Sequence, residues 1–270
     1  MTGLLRYART EDVTLSQNKA HAFAAHNALV HYPSGAIYSF IPKNACSTLR
    51  YSMAIANNCI AGPEDWTWIH LNNGTFSASL PDLVRAPFSF TVLRCPHARL
   101  ASVFLDKIVD KTPELWQLYR LTRDGFDPDA LTFRDFITLL DEEDLLKVNI
   151  HWRPQEDFLV YERYSHVFAL ERFREAVPIL QDEIGFTVQD ARALTGHGTD
   201  RVEMIREGSF ADTPISELAQ MKRGGSLPAH AQLYDEALAR QVAALYAGDL
   251  TLYAAHLDAQ LLSFPDLLPT

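Results

Sequence analysis

Gly35-Ala36-Ile37-Tyr38-Ser39-Phe40-Ile41-Pro42-Lys43-Asn44-Ala45-Cys46-Ser47-Thr48 is the stretch on which the fold turns. Its first half is apolar and does not alternate, as in a strand covered on both faces. From Ser47 the period changes: Leu49, Met53, Ala56 and Ile60 recur at helical spacing. The stretch therefore predicts a strand over Gly35–Pro42, a tight loop holding Lys43, and a helix opened by Ser47 and Thr48. A second stretch repeats the plan. Phe88–Leu93 predicts a strand, and Arg94-Cys95-Pro96-His97-Ala98-Arg99-Leu100-Ala101-Ser102 leads into a helix. Pro96 suits the first helical turn, where its missing N–H costs nothing, and Leu100, Val103, Phe104 and Ile108 form the buried stripe. Each stretch sets a fixed cation and a hydroxyl at the carboxyl end of a strand, where an open parallel sheet holds its ligand.

Working outward, Tyr164–Leu170 predicts a third strand and Glu171–Ile184 the helix after it. Residues 1–34 read as an arm with a short helix near Ala20–Val30. Residues 61–82, rich in Gly, Pro, Asn, Asp and Trp, read as a loop with little regular structure. Residues 112–148 are amphipathic and helical. From Ala229 the pattern is helical to near the end, with Tyr234, Leu238, Val242 and Leu245 on one face. Strands alternating with helices predict an α/β architecture, a central parallel sheet flanked by helices. With no repeat, low-complexity tract or linker, 1–270 reads as a single domain, an arm over 1–34 and a core over 35–255.

The 270 residues are 47% apolar, enough for a substantial core. The net charge is -10 and the isoelectric point about 5.4. A general nucleic-acid or anionic-membrane binder shows a basic stripe, so those classes are excluded and any anion site is a local pocket of positive charge. Cys46, Cys59 and Cys95 match neither a zinc nor a disulfide spacing, which predicts a reducing compartment. The first twenty residues carry Arg6, Arg9, Glu11 and Asp12 without a signal-peptide core, and no run approaches the ~18 apolar residues of a membrane span. A cytoplasmic location is the expectation.

The first loop suits an anion. The first N–H groups of a helix have no intrahelical acceptor and sit at the positive end of its dipole. Lys43 adds a mobile charge; Ser47 and Thr48 add hydroxyl donors. Taken alone, the same loop is equally an ordinary helix start with Ser47 as N-cap. It is not a nucleotide-triphosphate loop, which needs Gly-x-x-x-x-Gly-Lys-Ser/Thr, because no glycine falls between Pro42 and Thr48. In the second stretch, Arg94 at the strand end and Ser102 on the helix can flank one phosphate, for which a guanidinium is well shaped. The bland alternative pairs Arg94 with a core carboxylate and leaves Ser102 as a surface residue.

These motifs resemble those of the sulfotransferases. Pro42–Thr48 is similar to their 5′-phosphosulfate loop. Leu93–Ser102 is similar to their 3′-phosphate motif, Arg-x-Pro-x-x-Arg-Leu-x-Ser. His151-Trp152-Arg153-Pro154-Gln155 resembles a His-Trp-x-Pro segment, and Leu245–Tyr253 a C-terminal Tyr-x-x-Asp ending, of the chondroitin 4-O / HNK-1 type, with heparan 2-O enzymes as cousins. The likeness spans about residues 35–255. It departs from the animal members in lacking their anchor, lumenal disulfides and basic surface, which points to a bacterial-type, soluble member.

The resemblance implies a three-layer, P-loop NTPase-like fold and a donor, 3′-phosphoadenosine 5′-phosphosulfate (PAPS), used without a metal. It implies that Lys43, Asn44, Ala45, Cys46, Ser47 and Thr48 hold the 5′-phosphosulfate, with Lys43 on the bridging oxygen, and that Arg94 and Ser102 hold the 3′-phosphate. The acceptor is a carbohydrate or glycosylated small molecule. His70, between the two motifs, is the first candidate base and His151 the second; either is equally a hydrogen-bonded structural histidine. Glu64 and Asp65 are weaker alternatives. The turn Lys222-Arg223-Gly224-Gly225-Ser226 is a candidate closing loop, which brings Arg223 and Ser226 into the donor set, or else a solvated turn. Trp66, Trp68 and Trp152 are candidates for a sugar platform or for the core. Cys46 and Cys95 read as small fillers, or as oxidant-sensitive thiols if exposed. The alternatives are a small-molecule kinase and a non-catalytic nucleotide-binding scaffold. The sequence names neither the acceptor nor the oligomeric state, and a homo-oligomer is compatible with it.

Overall fold

The computed structural model describes residues 4–9, 13–72, 74–123, 125–191, 194 and 202–269. The chain divides into two compact units, Met1–Arg94 with Gln155–Gly196, and Cys95–Pro154 with His197–Thr270. Each is described in turn.

The first unit is built on a four-stranded sheet of order β1-β2-β3-β4. Its strands are β1 (Ala28–His31), β2 (Ala36–Ser39), β3 (Ser89–Leu93) and β4 (His166–Ala169). Strands β2, β3 and β4 run parallel, with Tyr38 beside Phe90 and Val92 beside Phe168. All residues of β2 and β3 are buried, which is why their sequences do not alternate. β1 is antiparallel to β2 and corrects the expectation of a helix reaching Val30. The helix α1 (Lys19–His26) stops at Asn27, whose side chain turns back to the Phe23 carbonyl at 2.8 Å. Gly35 then closes the hairpin at φ 70°, a conformation open to glycine, and donates to the His31 carbonyl at 2.8 Å.

Helix α2 (Cys46–Ala56) follows β2. The 61–82 interval is more regular than expected. It contains α3 (Trp68–Leu71) and the start of α4 (Leu80–Arg85), where Ser79 and Asp82 make a reciprocal capping box. After β4, Leu170–Glu175 forms a kinked 3₁₀ turn before α8 (Ala176–Ile184), so the predicted single helix begins five residues late. Leu49, Met53, Phe90, Phe168, Leu180 and Phe186 fill the core, with the Tyr38 and Phe90 rings stacked 4.9 Å apart.

The second unit is helical. Its helices are α5 (Pro96–Val103), α6 (Pro113–Leu121), α7 (Phe133–Glu142), α9 (Ile215–Arg223), α10 (Glu236–Leu245) and α11 (Ala247–His256). One π-helical turn, Phe104–Ile108, extends α5 and is closed by Val109 N–H on the Phe104 carbonyl. The region 112–148, expected to be helical, holds two helices, the second started by a Thr132–Asp135 capping box. A short parallel pair, β5 (Glu203–Ile205) and β6 (Ser226–Pro228), was not anticipated. Phe104, Phe133, Phe136, Trp152 and Tyr234 form an aromatic core onto which α10 turns Leu238 and Val242. Among the described residues, no helix is long and apolar enough to cross a membrane.

Candidate active site

The first loop does not end in an ordinary cap. Helix α2 begins at Cys46, so Ser47 lies inside the first turn and the N-cap is Ala45, which has no side chain to cap with. The first-turn N–H groups of Cys46, Ser47 and Thr48 have no intrahelical acceptor. The backbone is strained to present them. Lys43 has φ 71° and Ala45 φ 55°, two non-glycine residues in the left-handed region separated by one residue. Each such residue costs ~1–2 kcal/mol relative to its relaxed form. Residues of positive and negative φ in succession fold a backbone into an anion-binding concavity. Lys43, Ala45, Cys46, Ser47 and Thr48 are all half-buried, at the carboxyl end of β2.

Asn44 departs from its expected role. Its N–H donates to the Ile41 carbonyl within the loop, and its side chain is buried. The side-chain amide donates to the Val92 carbonyl at 2.8 Å and to Gln155 Oε1 at 2.6 Å. It is the anchor that fixes the strained loop to β3. Gln155, 1% exposed, ties the second loop to the same point. Its Oε1 also accepts the Arg94 N–H at 3.0 Å, and its amide donates to the Arg94 carbonyl at 2.9 Å. The Arg94 guanidinium then donates to the Lys43 carbonyl at 3.1 Å. The two cations thus stand on neighbouring strand ends, joined through one glutamine. Nothing in the sequence marks Gln155 for this role beyond its place directly after Pro154 in the His-Trp-x-Pro segment.

Beneath the loop, the Tyr38 hydroxyl is fully buried, and burial pushes it well above its ordinary range. Arg50 donates to the Ile69 carbonyl and lies 5.3 Å from the Phe40 ring centre. A cavity of about 670 Å³ adjoins the loop on the same unit. Ala45 and Thr48 form one wall, and residues 170–175 with Val177, Val188 and Asp190 line the rest.

In the second unit, the remaining motif residues interlock. Ser102 is half-buried on the last turn of α5. Arg99, from the same motif, is 2% exposed and donates to the Arg153 carbonyl at 2.8 Å and the Ile150 carbonyl at 3.3 Å. Trp152 is a core residue whose indole N–H donates to the Leu145 carbonyl at 2.9 Å. Tyr246, of the C-terminal motif, donates to the Trp152 carbonyl at 2.5 Å. Burial pushes its hydroxyl up, with Arg99 opposing and the buried Asp249 adding to the rise. Three motifs far apart in sequence therefore meet as one brace.

The two candidate bases differ in setting. His70 is exposed on α3, with its ring edge-on to Trp66 at 5.1 Å. His151 is half-buried, and its Nδ1 lies 3.2 Å from Glu114 and 3.0 Å from Asn149 Oδ1. Arg223 is exposed at the end of α9, and Ser226 opens β6 with its hydroxyl on the Met221 carbonyl at 3.5 Å. Between them Gly225, at φ 87°, makes the turn, while Lys222 is pinned by Asp110 at 2.6 Å. Glu64 and Asp65 lie exposed in a 3₁₀ turn. Trp66 and Trp68 are half-buried. The cysteines are free; Cys95 is buried against Ser263, and Cys46 is half-buried at the start of α2.

The α/β unit thus carries, at the ends of neighbouring parallel strands, an uncapped lysine-bearing loop beside an arginine. The family model described as "Sulfotransferase family" matches residues 26–254, and the chain belongs to the sulfotransferase family. The match begins at the end of α1, so it takes in β1 as well as the motif-bearing strands. No curated protein and no solved structure matches the chain significantly.

Proposed function

We propose that this sulfotransferase moves the sulfuryl group of PAPS to a hydroxyl of a saccharide or glycosylated metabolite by in-line displacement. The observation that carries the reading is the strained loop Lys43–Ala45, which holds three first-turn N–H groups open at an uncapped helix start. The donor set around it consists of N–H, hydroxyl and cationic groups, which fits a phosphosulfate. Lys43 faces the charge that grows on the bridging oxygen as the sulfur–oxygen bond breaks, and electrostatic help there is the main demand of the reaction. Ala45, Cys46, Ser47 and Thr48 hold the 5′-phosphate, with Asn44 as their anchor. Arg94 and Ser102 take the 3′-phosphate. The cavity beside Ala45 and Thr48 has the size of a small-ligand site, and its Phe173 and Val188 wall suits a nucleoside. Arg223 and Ser226 belong to a turn that closes the donor site. His70 and His151 are the candidates for the base that takes the acceptor proton. The motif set supports the chondroitin 4-O / HNK-1 subtype, and the acidic net charge and absence of a disulfide spacing accord with a bacterial-type, cytoplasmic member.

The test is calorimetric titration with 3′-phosphoadenosine 5′-phosphate, with AMP and ATP as controls and no added metal. Binding that is tight, weakens at least about tenfold without the 3′-phosphate, and is lost in Arg94→Ala supports the reading. Equal affinity for AMP, or a magnesium-dependent preference for ATP, overturns it in favour of a kinase. Donor binding without transfer to any acceptor or to water leaves the scaffold reading.

A further inference from the structure

We propose that Arg50 is the buried counter-charge of the anion loop, a positioning residue whose partner is the bound 5′-phosphosulfate; the assignment rests on the donor reading above. A guanidinium stays charged and offers five N–H donors in a rigid fork. Inside a protein such a group is ordinarily met by a carboxylate, because a buried charge left unpaired is costly. Arg50 is only 9% exposed, yet among the described residues no carboxylate pairs with it. Two groups hold it instead. It donates to the Ile69 carbonyl of α3, and its guanidinium carbon lies 5.3 Å from the Phe40 ring centre. A carbonyl and an aromatic face orient a guanidinium, but neither brings a full negative charge.

The other polar groups within its field do not supply that charge either. The Tyr38 hydroxyl is fully buried, and burial pushes it well above its ordinary range, with the Cys46 sulfur adding to the rise and Arg50 opposing it. It therefore stays a neutral phenol. Burial also pulls the Arg50 guanidinium down from its ordinary value, while Cys46 and Tyr38 oppose the shift. Without a donor bound, the protein thus holds a positive charge in its interior with no fixed negative partner among the described residues.

The position of the charge names its partner. Arg50 lies one turn after Cys46 on α2, so the two share a helix face. Side chains on a helix lean toward its N-terminus, and the Arg50 head meets Phe40, the residue that follows β2 and leads into the loop. Four residues of helix rise about 6 Å. An anion on the first-turn N–H groups of Cys46, Ser47 and Thr48 is therefore within reach of the Arg50 field, and a buried charge is screened little by salt. Lys43 brings a mobile charge to the same anion; Arg50 brings one already fixed by Ile69 and Phe40 before the donor arrives. Such a charge strengthens the binding of donor and spent nucleotide alike, since both carry the 5′-phosphate, rather than favouring the transition state alone.

The experiment compares the native full chain with Arg50→Gln, which removes the charge but keeps a donor for the Ile69 carbonyl, and with Arg50→Lys, which keeps the charge. Each is titrated calorimetrically with 3′-phosphoadenosine 5′-phosphate and with adenosine 3′-phosphate, which lacks the 5′ group. Transfer to water, read as sulfate release from PAPS, needs no acceptor to be known and supplies kcat and KM. Arg50→Gln should bind 3′-phosphoadenosine 5′-phosphate about tenfold more weakly, and Arg50→Lys should stay within about threefold of native. Adenosine 3′-phosphate should bind all three alike. KM should rise with the dissociation constant while kcat stays within about threefold, the pattern of an interaction made equally in the ground and transition states. If Arg50→Gln folds poorly, Arg50→Met, whose uncharged stem still reaches the Phe40 ring, is read in its place. Native affinity in the uncharged variant overturns the proposal. So does an equal loss for both ligands, which would make Arg50 a brace of the fold, or a fall in kcat at unchanged affinity. A native chain that does not bind 3′-phosphoadenosine 5′-phosphate would sink the donor reading itself, and the counter-charge with it.

Discussion

The loop at residues 42–48 and the segment at 149–153 both carry motif residues, yet they are built in opposite ways. The loop is half-exposed, holds two residues at positive φ and leaves first-turn donors open. The segment has its carbonyls taken by Arg99 and Tyr246, and its tryptophan is sealed in the core. Strain and open donors are maintained only where surrounding structure over-determines them, which marks a working surface. Satisfied carbonyls around a sealed aromatic mark a brace. Even inside one motif the division holds: Arg94 stands half-exposed at the end of β3, while Arg99, five residues on, is buried and supports the backbone. A motif written as a string of residue types does not separate the two roles, but burial and donor accounting do.

The contrast is broken most directly by exchanging the two kinds of damage. Trp152→Ala removes a fully buried indole and should cost ~3–5 kcal/mol of stability, read as a fall in the denaturant midpoint. Lys43→Ala should leave that midpoint within ~0.5 kcal/mol, because its half-exposed side chain fills no core. Its effect should fall on sulfate release, by about 10²–10³-fold, the usual loss when one preorganised charge partner is removed. A destabilised Lys43→Ala, or a Trp152→Ala that stays folded and loses only turnover, would erase the distinction.

Gln155 lies on the boundary between the two kinds of region, since it is as buried as the brace yet serves the loop. Gln155→Leu keeps the volume but removes the acceptor shared by one Asn44 amide hydrogen and the Arg94 N–H, and the donor to the Arg94 carbonyl. Each stranded buried group costs ~1–3 kcal/mol unless the loop rearranges to satisfy it. The expected result is a moderate loss of stability together with weaker binding of 3′-phosphoadenosine 5′-phosphate. Lost stability with native affinity would make Gln155 part of the brace alone.

The sequence carried the parallel strands and both loops because their signals are local. An apolar run, a change of period at Ser47 and a proline at position 96 lie within a few residues of each other. It missed β1 because Ala22–Val30 is apolar on both sides of His26-Asn27, and only pairing with β2 decides that its second half is extended; the Pro33-Ser34-Gly35 turn is the local hint. The α4 start is written locally in Ser79-Leu80-Pro81-Asp82, at the end of an interval whose turn residues read as loop. The Asn44–Gln155–Arg94 knot and the Glu114–His151 pair join positions 37 to 111 residues apart. No spacing rule reaches across that distance, so which polar residue meets which histidine or loop became visible only with the fold.

The smallest expected effect tests the strain itself. Ala45 holds φ 55° at the head of α2, where an L side chain costs ~1–2 kcal/mol and glycine costs nothing sterically. Against that relief, a glycine gives the unfolded chain ~0.5–1 kcal/mol more entropy to lose on folding. The balance predicts that Ala45→Gly stabilises the protein by about 0.5 kcal/mol, at the edge of what denaturant midpoints resolve. Its effect on donor affinity is the more telling number. Asn44 pins the loop through its side chain and N–H, not through Ala45, so the concavity should survive and affinity should stay within about twofold. A marked loss of affinity would mean that the alanine methyl, by restricting the backbone, is part of what preorganises the loop. The division between a loop held by its anchors and a segment held by its core would then be too sharp.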